Sequence, residues 1–263
     1  MSTSYVAARA ISRVFGLRRL VLPPAKGLRI LMYHAIGSPV DSDPKQLYSL
    51  SESAFEEHLR ALSTEPDVRF VQMDSTEVLA DPTGALAVTF DDGYRDNLLA
   101  AAPLLKLHGI PFSVFVITQA VRNGERQFLS ASDVRRLAEE YNAVIGSHGA
   151  THARLAECSN RQLKDELVSS KSYLEDLLGK EIVSLSYPHG SVDRRVRDMA
   201  AESGYRLGMT SFFGVNNVKA DPILLARLPI VSPDNVAELR AKVNGDWDWY
   251  RWRQFRKRRA ARR

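Results

Sequence analysis

The sequence predicts an α/β fold, a (β/α) barrel in which a parallel sheet closes or nearly closes on itself. Two observations carry that prediction. From Leu28 onward, short runs rich in β-branched and aromatic residues alternate with helical patterns, the signature of a parallel sheet wrapped by helices. No internal repeat, low-complexity stretch or long linker interrupts the alternation, so the strands fall in one unit rather than two. With 44% hydrophobic residues among 263, the chain has the material for one full core.

The strands are expected at Arg29 to Tyr33, Val68 to Gln72, Leu86 to Phe90, Phe112 to Val116, Ala143 to Ile145, Val183 to Tyr187, Tyr205 to Met209 and Leu228 to Val231. Helices are expected over 53–64, 95–108, 131–140, 160–178, 192–203 and 234–242, the first opened by a capping-box pattern of Ser53 with Glu56. In barrels of this kind the reactive groups gather at the carboxyl ends of the strands.

Outside this unit, residues 1–24 read as a basic amphipathic segment and 245–263 as a basic aromatic tail, leaving 25–244 as the barrel domain. Ala7, Ala10, Ile11, Val14, Leu17 and Val21 fall on one side of a helix over 5–22, with Arg9, Ser12, Arg13 and Arg19 mostly on the other. Such a helix can lie on an anionic membrane or pack on the domain. Arg251 to Arg263 hold eight basic residues and no acidic one, and every tryptophan lies at 247, 249 or 252 beside Tyr250 and Phe255. Arginines interleaved with aromatics suit interfacial anchoring or a disordered tail.

The net charge of +5 sits largely at these ends, and with no nucleic-acid fold beside it, a nucleic-acid partner is disfavoured. No run of about 18 apolar residues is present, so no transmembrane helix is expected. Gly16, Arg18 and Arg19 break any signal-peptide core. The expectation is therefore a cytoplasmic protein, peripheral at the inner face of the membrane. A single cysteine, Cys158, excludes an internal disulfide and leaves any zinc to histidine and carboxylate.

Two clusters carry chemistry. Ala87 to Phe90 is an apolar strand that stops at Asp91-Asp92-Gly93-Tyr94. Alone, Asp-Asp-Gly reads as a polar turn capping the next helix. Downstream, Gly146-Ser147-His148-Gly149-Ala150-Thr151-His152 follows another short strand and spaces two histidines by four residues. Two histidine nitrogens and one carboxylate oxygen make the three-ligand set of a catalytic zinc, with a fourth position for water.

Together, Thr89-Phe90-Asp91-Asp92-Gly93 and Ser147-His148-Gly149-Ala150-Thr151-His152 resemble the first two signature motifs of the polysaccharide deacetylases, in order and in separation. Leu31-Met32-Tyr33-His34, Gly109-Ile110-Pro111, Tyr187-Pro188-His189-Gly190 and Ser203-Gly204-Tyr205 extend the resemblance over all but the tails. It implies a distorted seven-stranded NodB-like barrel. Position by position, it implies Asp92, His148 and His152 as ligands of a divalent metal, most simply Zn2+, and Asp91 as general base. The backbone N–H of His189 becomes an oxyanion donor, and Tyr94, Tyr187, Pro188 and Arg227 become candidate substrate-binding residues.

This sequence also departs from the family pattern. The arginine that opens the third motif is replaced by Ser186, the aromatic after the proline by His189, and the late Leu-x-His motif by Leu224-Leu225-Ala226-Arg227-Leu228-Pro229-Ile230. With no histidine after His189, the proton donor to the leaving amine must be His189 or His34. Arg227 is the candidate to hold Asp91 in place of the missing arginine. His58 and His108 are expected on helix surfaces.

The resemblance implies hydrolytic removal of N-acetyl groups from an acetamido sugar in a glycan or lipid-linked saccharide, in surface polysaccharide biosynthesis. Two alternatives stay open: a deacetylase of a nucleotide sugar or small amide, and a degenerate member that binds glycan or membrane without turnover.

Overall fold

The computed structural model describes residues 3–17, 25–40 and 43–254. It contains strands β1 (Arg29–Tyr33), β2 (Ala35–Ile36), β3 (Ser49–Leu50), β4 (Arg69–Val71), β5 (Ala85–Phe90), β6 (Phe112–Val116), β7 (Val144–Ser147), β8 (Ser184–Ser186), β9 (Leu207–Phe213) and β10 (Leu225–Pro229). The helices are α1 (Thr3–Leu17), α2 (Glu52–Ser63), α3 (Ala102–Leu107), α4 (Thr118–Asn123), α5 (Ala131–Glu140), α6 (Asn160–Leu178), α7 (Arg194–Glu202) and α8 (Val236–Val243).

The sheet closes. Neighbouring strands run β1, β10, β9, β8, β7, β6, β5, and β1 pairs back onto β5 from Arg29 beside Leu86 to Tyr33 beside Phe90, all in parallel. Seven strands therefore form the barrel. β4 occupies the first half of the β5 edge, pairing Leu86 and Ala87, before β6 takes over at Val88. The expected strands are all present with ends shifted by a few residues. β2, β3 and α4 have no counterpart in the sequence reading, and α2 starts on Ser51, whose side chain accepts from Ala54 N–H, rather than on Ser53.

Strand periodicity explains how one barrel holds both a core and a site. Leu86, Val88 and Phe90 of β5 face outward into the main hydrophobic cluster beneath the helices, while Ala85 and Ala87 join Leu28, Ile30, Phe115, Met209 and Leu225 in a second cluster inside the ring. Continuing up the same inner faces, the apolar plug gives way to Thr89, Ser186 and Arg227, all fully buried. One step higher come Asp91 and His148. Gly146 keeps the plug tight, since a Cβ there would sit 2.5 Å from the Phe115 ring.

Residues at both ends pack on the barrel. Within α1, Ala8 and Ser12 are buried, Tyr5 donates to Asp234, and Arg9 pairs with Glu238 of α8 at 2.6 Å. The face expected to be apolar points away, with Ile11 and Val14 45% and 66% exposed. Trp247 is buried against Tyr5 and Phe213, Trp249 donates to Ser12 Oγ at 2.9 Å, and Asp248 takes a bidentate pair from Arg29. Residue 244 is therefore no structural boundary, and helix α1 ends at Leu17. Residues 18–24 and 255–263, with Phe255 and the last six basic residues, lie outside the described residues. His58 is fully buried, bonded through Nδ1 to Tyr33 and through Nε2 to the carbonyl of Asp234, and is no surface residue.

Candidate metal centre and catalytic cleft

β5 ends at Phe90, and the chain turns at once. Asp92 and Gly93 both take the left-handed conformation, at φ 71° each. That turn answers the constraint that neighbouring strand residues face opposite ways: Asp91 keeps the inward direction of Ala87 and Thr89, and Asp92 is swung back toward the same cleft. Among non-glycine residues with positive φ, His152 and His189 join Asp92 in the cleft, at φ 64° and 57°. Each such residue costs roughly 1–3 kcal/mol, which the surrounding structure must impose.

Asp92, His148 and His152 bring one ligand atom each to within 4.8 Å of one another. Asp92 Oδ1 lies 3.2 Å from His148 Nε2 and 3.3 Å from His152 Nε2. A tetrahedral ion with bonds of ~2.0–2.1 Å has ligand separations of roughly 3.3 Å, so the donor set fits zinc. His148 is already oriented: its Nδ1 donates to the carbonyl of Ser186 at 2.8 Å, which leaves the Nε2 lone pair facing Asp92. The loop between the histidines is fixed from α6, where Glu166 accepts from the backbone N–H groups of Ala150 and Thr151 and from the Thr151 hydroxyl.

Beneath the metal centre lies an arginine. Arg227 of β10 is fully buried and forks onto Asp91, with Nη1 to Oδ1 at 2.7 Å and Nη2 to Oδ2 at 2.6 Å. Its Nε donates to the Thr210 carbonyl and its Nη2 also to Ser186 Oγ, whose hydroxyl in turn donates to Asp91 Oδ2. Ser186, at the position of the missing arginine, is small enough to admit this guanidinium from the neighbouring part of the ring.

Electrostatics follow from this packing. Burial alone would raise both carboxyls, but Arg227 and His148 hold Asp91 below the ordinary carboxylate value, and His148 and His34 do the same for Asp92. Against its burial, His148 is raised by Asp91 and Asp92, whereas burial and the neighbouring His148 push His152 down to about 4. A neutral His152 beside an ionised Asp92 is the state a cation requires.

The cleft above these groups encloses about 650 Å³. His34, at the end of β1, lines it with its ring 4.5 Å from that of Tyr48 and its Nδ1 buried without a hydrogen-bond partner. Burial lowers its pKa against the pull of Asp92 and Asp91. A π-helical turn over Asn97–Ala101 sets Asn97 under it, donating to the His34 carbonyl at 2.8 Å. His189 lines the same cleft on the other side, exposed, with its ring 4.3 Å from that of His152 and tilted to it by 44°. Tyr94 lines it too, stacked on Phe128.

Three expected substrate-binding residues sit elsewhere. Tyr187 is fully buried with its hydroxyl given to the Ile223 carbonyl, Pro188 is buried beneath Gly149 of the histidine loop, and Arg227 is consumed by Asp91. Motif proximity misled here: Tyr187 follows the outward phase of Leu185 into the core, the turn after β8 tucks Pro188 under the histidine loop, and Arg227 points inward but meets Asp91. Conversely, Tyr48, Arg154, Ser211, Tyr250 and Gln254 line the cleft and were not anticipated. Glu166 had a readable signal, a carboxylate on the buried stripe Leu163, Leu167, Ser170 and Leu174 of α6.

Residues 80–208 match the family model described as polysaccharide deacetylase. YxkH of Bacillus subtilis (strain 168), assigned to the polysaccharide deacetylases, is 27% identical over 192 residues, covering 72% of this chain and 65% of that protein. This chain thus spans just under two thirds of that relative. Among solved structures, the Streptococcus pyogenes deacetylase PplD in complex with acetate aligns with a TM-score of 0.74 and 24% identity over 84% of this chain and 99% of that one. IcaB from Ammonifex degensii aligns at 0.70 and 24%, over 84% and 98%. At these identities the structural likeness establishes the fold, the seven-stranded (β/α) barrel.

Proposed function

We propose that this chain, which belongs to the polysaccharide deacetylase family through residues 80–208, hydrolyses the N-acetyl group of an acetamido sugar in a glycan or lipid-linked saccharide. The observation that carries the reading is the convergence of Asp92, His148 and His152 beside an ionised Asp91 in an open cleft. The resident cation in this reading is zinc, held by those three residues. Bound there, it would supply Lewis acidity, polarising the amide carbonyl and acidifying water.

Asp91 removes a proton from the attacking water, and the grip of Arg227 keeps its carboxylate ionised and aimed. Water adds to the carbonyl carbon, the C–N bond breaks, and acetate and a free amine leave. In the proposal the backbone N–H of His189, in its left-handed turn, steadies the oxyanion. His34 hands the proton to the leaving nitrogen. It is preferred over His189 because it lines the cleft from the end of β1, beside the buried Asp91 and Asp92, whereas His189 is exposed and its ring leans on that of His152.

A place in surface polysaccharide biosynthesis, a cytoplasmic location and peripheral contact with an anionic membrane belong to the same proposal. Exposed Ile11 and Val14, with Arg13 beside them on α1, support the membrane contact, as does the basic sequence after Phe255. Flotation of the full chain with anionic but not neutral vesicles is expected; equal flotation with both removes this part. For the chemistry, purified zinc-loaded protein is expected to release acetate from polymeric acetylated glycans faster than from nucleotide sugars or simple acetamides. Release from the small compounds alone would replace the glycan reading.

A further inference from the structure

The cleft shares a wall with a second cavity. Tyr250 and Gln254 form part of the cleft's wall, and Gln254 also borders the second cavity, of about 560 Å³ and lined by Phe212, Phe213, Arg251 and Trp252. Both volumes lie in the range of small-molecule sites, roughly 300–1,000 Å³. The shared residue is anchored, its Oε1 accepting from the Phe213 N–H at 2.7 Å. Successive residues at the end of β9 divide between the two spaces, Ser211 toward the first and Phe212 toward the second. Packing of Trp247 on Phe213 and the bond from Trp249 to Ser12 fix the segment that carries this wall.

Trp252 is the exception among the tryptophans. Trp247 is buried, but Trp252 is 64% exposed, with the Arg251 guanidinium 5.2 Å from its ring centre. A pyranose ring has a flat C–H face and a rim of hydroxyls, so it needs an aromatic plane flanked by polar side chains. The electron-rich face of an indole attracts those C–H groups. Arg251 offers donors to the rim, and Gln254 Nε2 has a second N–H beyond the one given to the Ser211 carbonyl. An acyl or prenyl chain would instead strip water from both polar groups without replacing their hydrogen bonds.

We propose that this second cavity is a saccharide subsite, with Trp252 as its platform, that holds the sugar unit adjoining the one deacetylated. The substrate is then an oligomer or polymer. The proposal rests on the deacetylase reading and names the substrate class of that site.

The test compares zinc-loaded full-length wild type, Trp252→Ala and Trp252→Phe. Acetate release is measured on N-acetylglucosamine and on its β-1,4- and β-1,6-linked tetramers, and tetramer binding is titrated on the metal-free proteins. Trp252→Ala is expected to lower kcat/KM and affinity for at least one tetramer about tenfold, equivalent to ~1.4 kcal/mol. The effect on the monosaccharide should be smaller, and Trp252→Phe should recover most of the loss. Equal effects on monomer and tetramers, unchanged tetramer binding in Trp252→Ala, or no tetramer binding by wild type would overturn the subsite. If wild type binds a tetramer through Trp252 but releases no acetate from any compound, the deacetylase reading fails and the subsite stands.

Discussion

The two sides of the cleft are built differently. On the β5 and β7 side, the ligand set comes from two short sequence stretches, and strained turns at Asp92 and His152 bring the donors together. On the β1, β8 and β10 side, the groups around Asp91 come singly from distant strands: His34, the proposed proton donor, after β1, and Ser186 in β8 and Arg227 in β10, both bonded to Asp91. In a closed ring, inward positions of different strands converge on one axis. A guanidinium or imidazole can therefore serve the same carboxylate from more than one strand. The metal side cannot be dispersed in that way, because ligand separations near 3.3 Å demand fixed local geometry.

That contrast sets the size of the expected losses. Replacing a ligand should be the most severe: Asp92→Ala or His148→Ala is expected to abolish both acetate release and retention of zinc after dialysis. On the proton side, His34→Ala should keep the zinc but lower kcat by about 10²–10⁴-fold, the usual weight of general acid–base catalysis. His189→Ala should do much less. A reversal of those two results, measured with equal zinc content, would move the proton donor to the β8 side.

Arg227 tests the dispersed side through stability. Removing one partner of a buried ion pair leaves the other charged and unpaired, at a cost of about 3–5 kcal/mol. Arg227→Met is therefore expected to lower the unfolding free energy by about that amount, and adding Asp91→Asn should recover part of it. Strict additivity of the two changes in denaturant melts would show that the fork onto Asp91 contributes nothing.

The smallest effect lies just outside the cleft. Burial raises the Asp96 carboxyl to about 6 against hydrogen bonds from Ile36 and Ser38. Between its ordinary value and 6, the folded protein holds a proton that the unfolded chain releases, so this contribution to stability is lost as pH rises through 6. Asp96→Asn is expected to raise Tm by about 2–4 °C at pH 8, equivalent to ~1 kcal/mol, with the gain shrinking toward pH 4. A gain independent of pH would assign the effect to packing.

Much of this organisation is legible in the sequence, and the contrast between the two sides explains which part. Strand and helix order follows from periodicity, and the cluster of Asp92, His148 and His152 follows from contiguous motifs. Arg227 stood out in the stretch that departs from the late motif, as a residue to hold Asp91 or to bind substrate, and the closed ring shows it forked onto Asp91. Tyr187 was misplaced because it continues the outward phase of Leu185 into the core, and Pro188 because the chain leaves the strand after Ser186 and turns it against Gly149, neither of which a motif reveals. Tyr48, Arg154, Tyr250 and Gln254 were invisible because loops and the segment after α8 reach the cleft only through long-range packing. The same packing accounts for Trp247 and Trp249, whose sequence neighbourhood resembles a tail but whose side chains belong to the domain.

The central claim, that the Asp92, His148 and His152 centre with Asp91 hydrolyses acetamido sugars, is tested most directly by acetate release from acetylated glycans before and after chelation. The account expects release by the zinc-loaded protein, its loss on complete metal removal and its return on adding zinc. Release that persists unchanged in metal-free protein would contradict it.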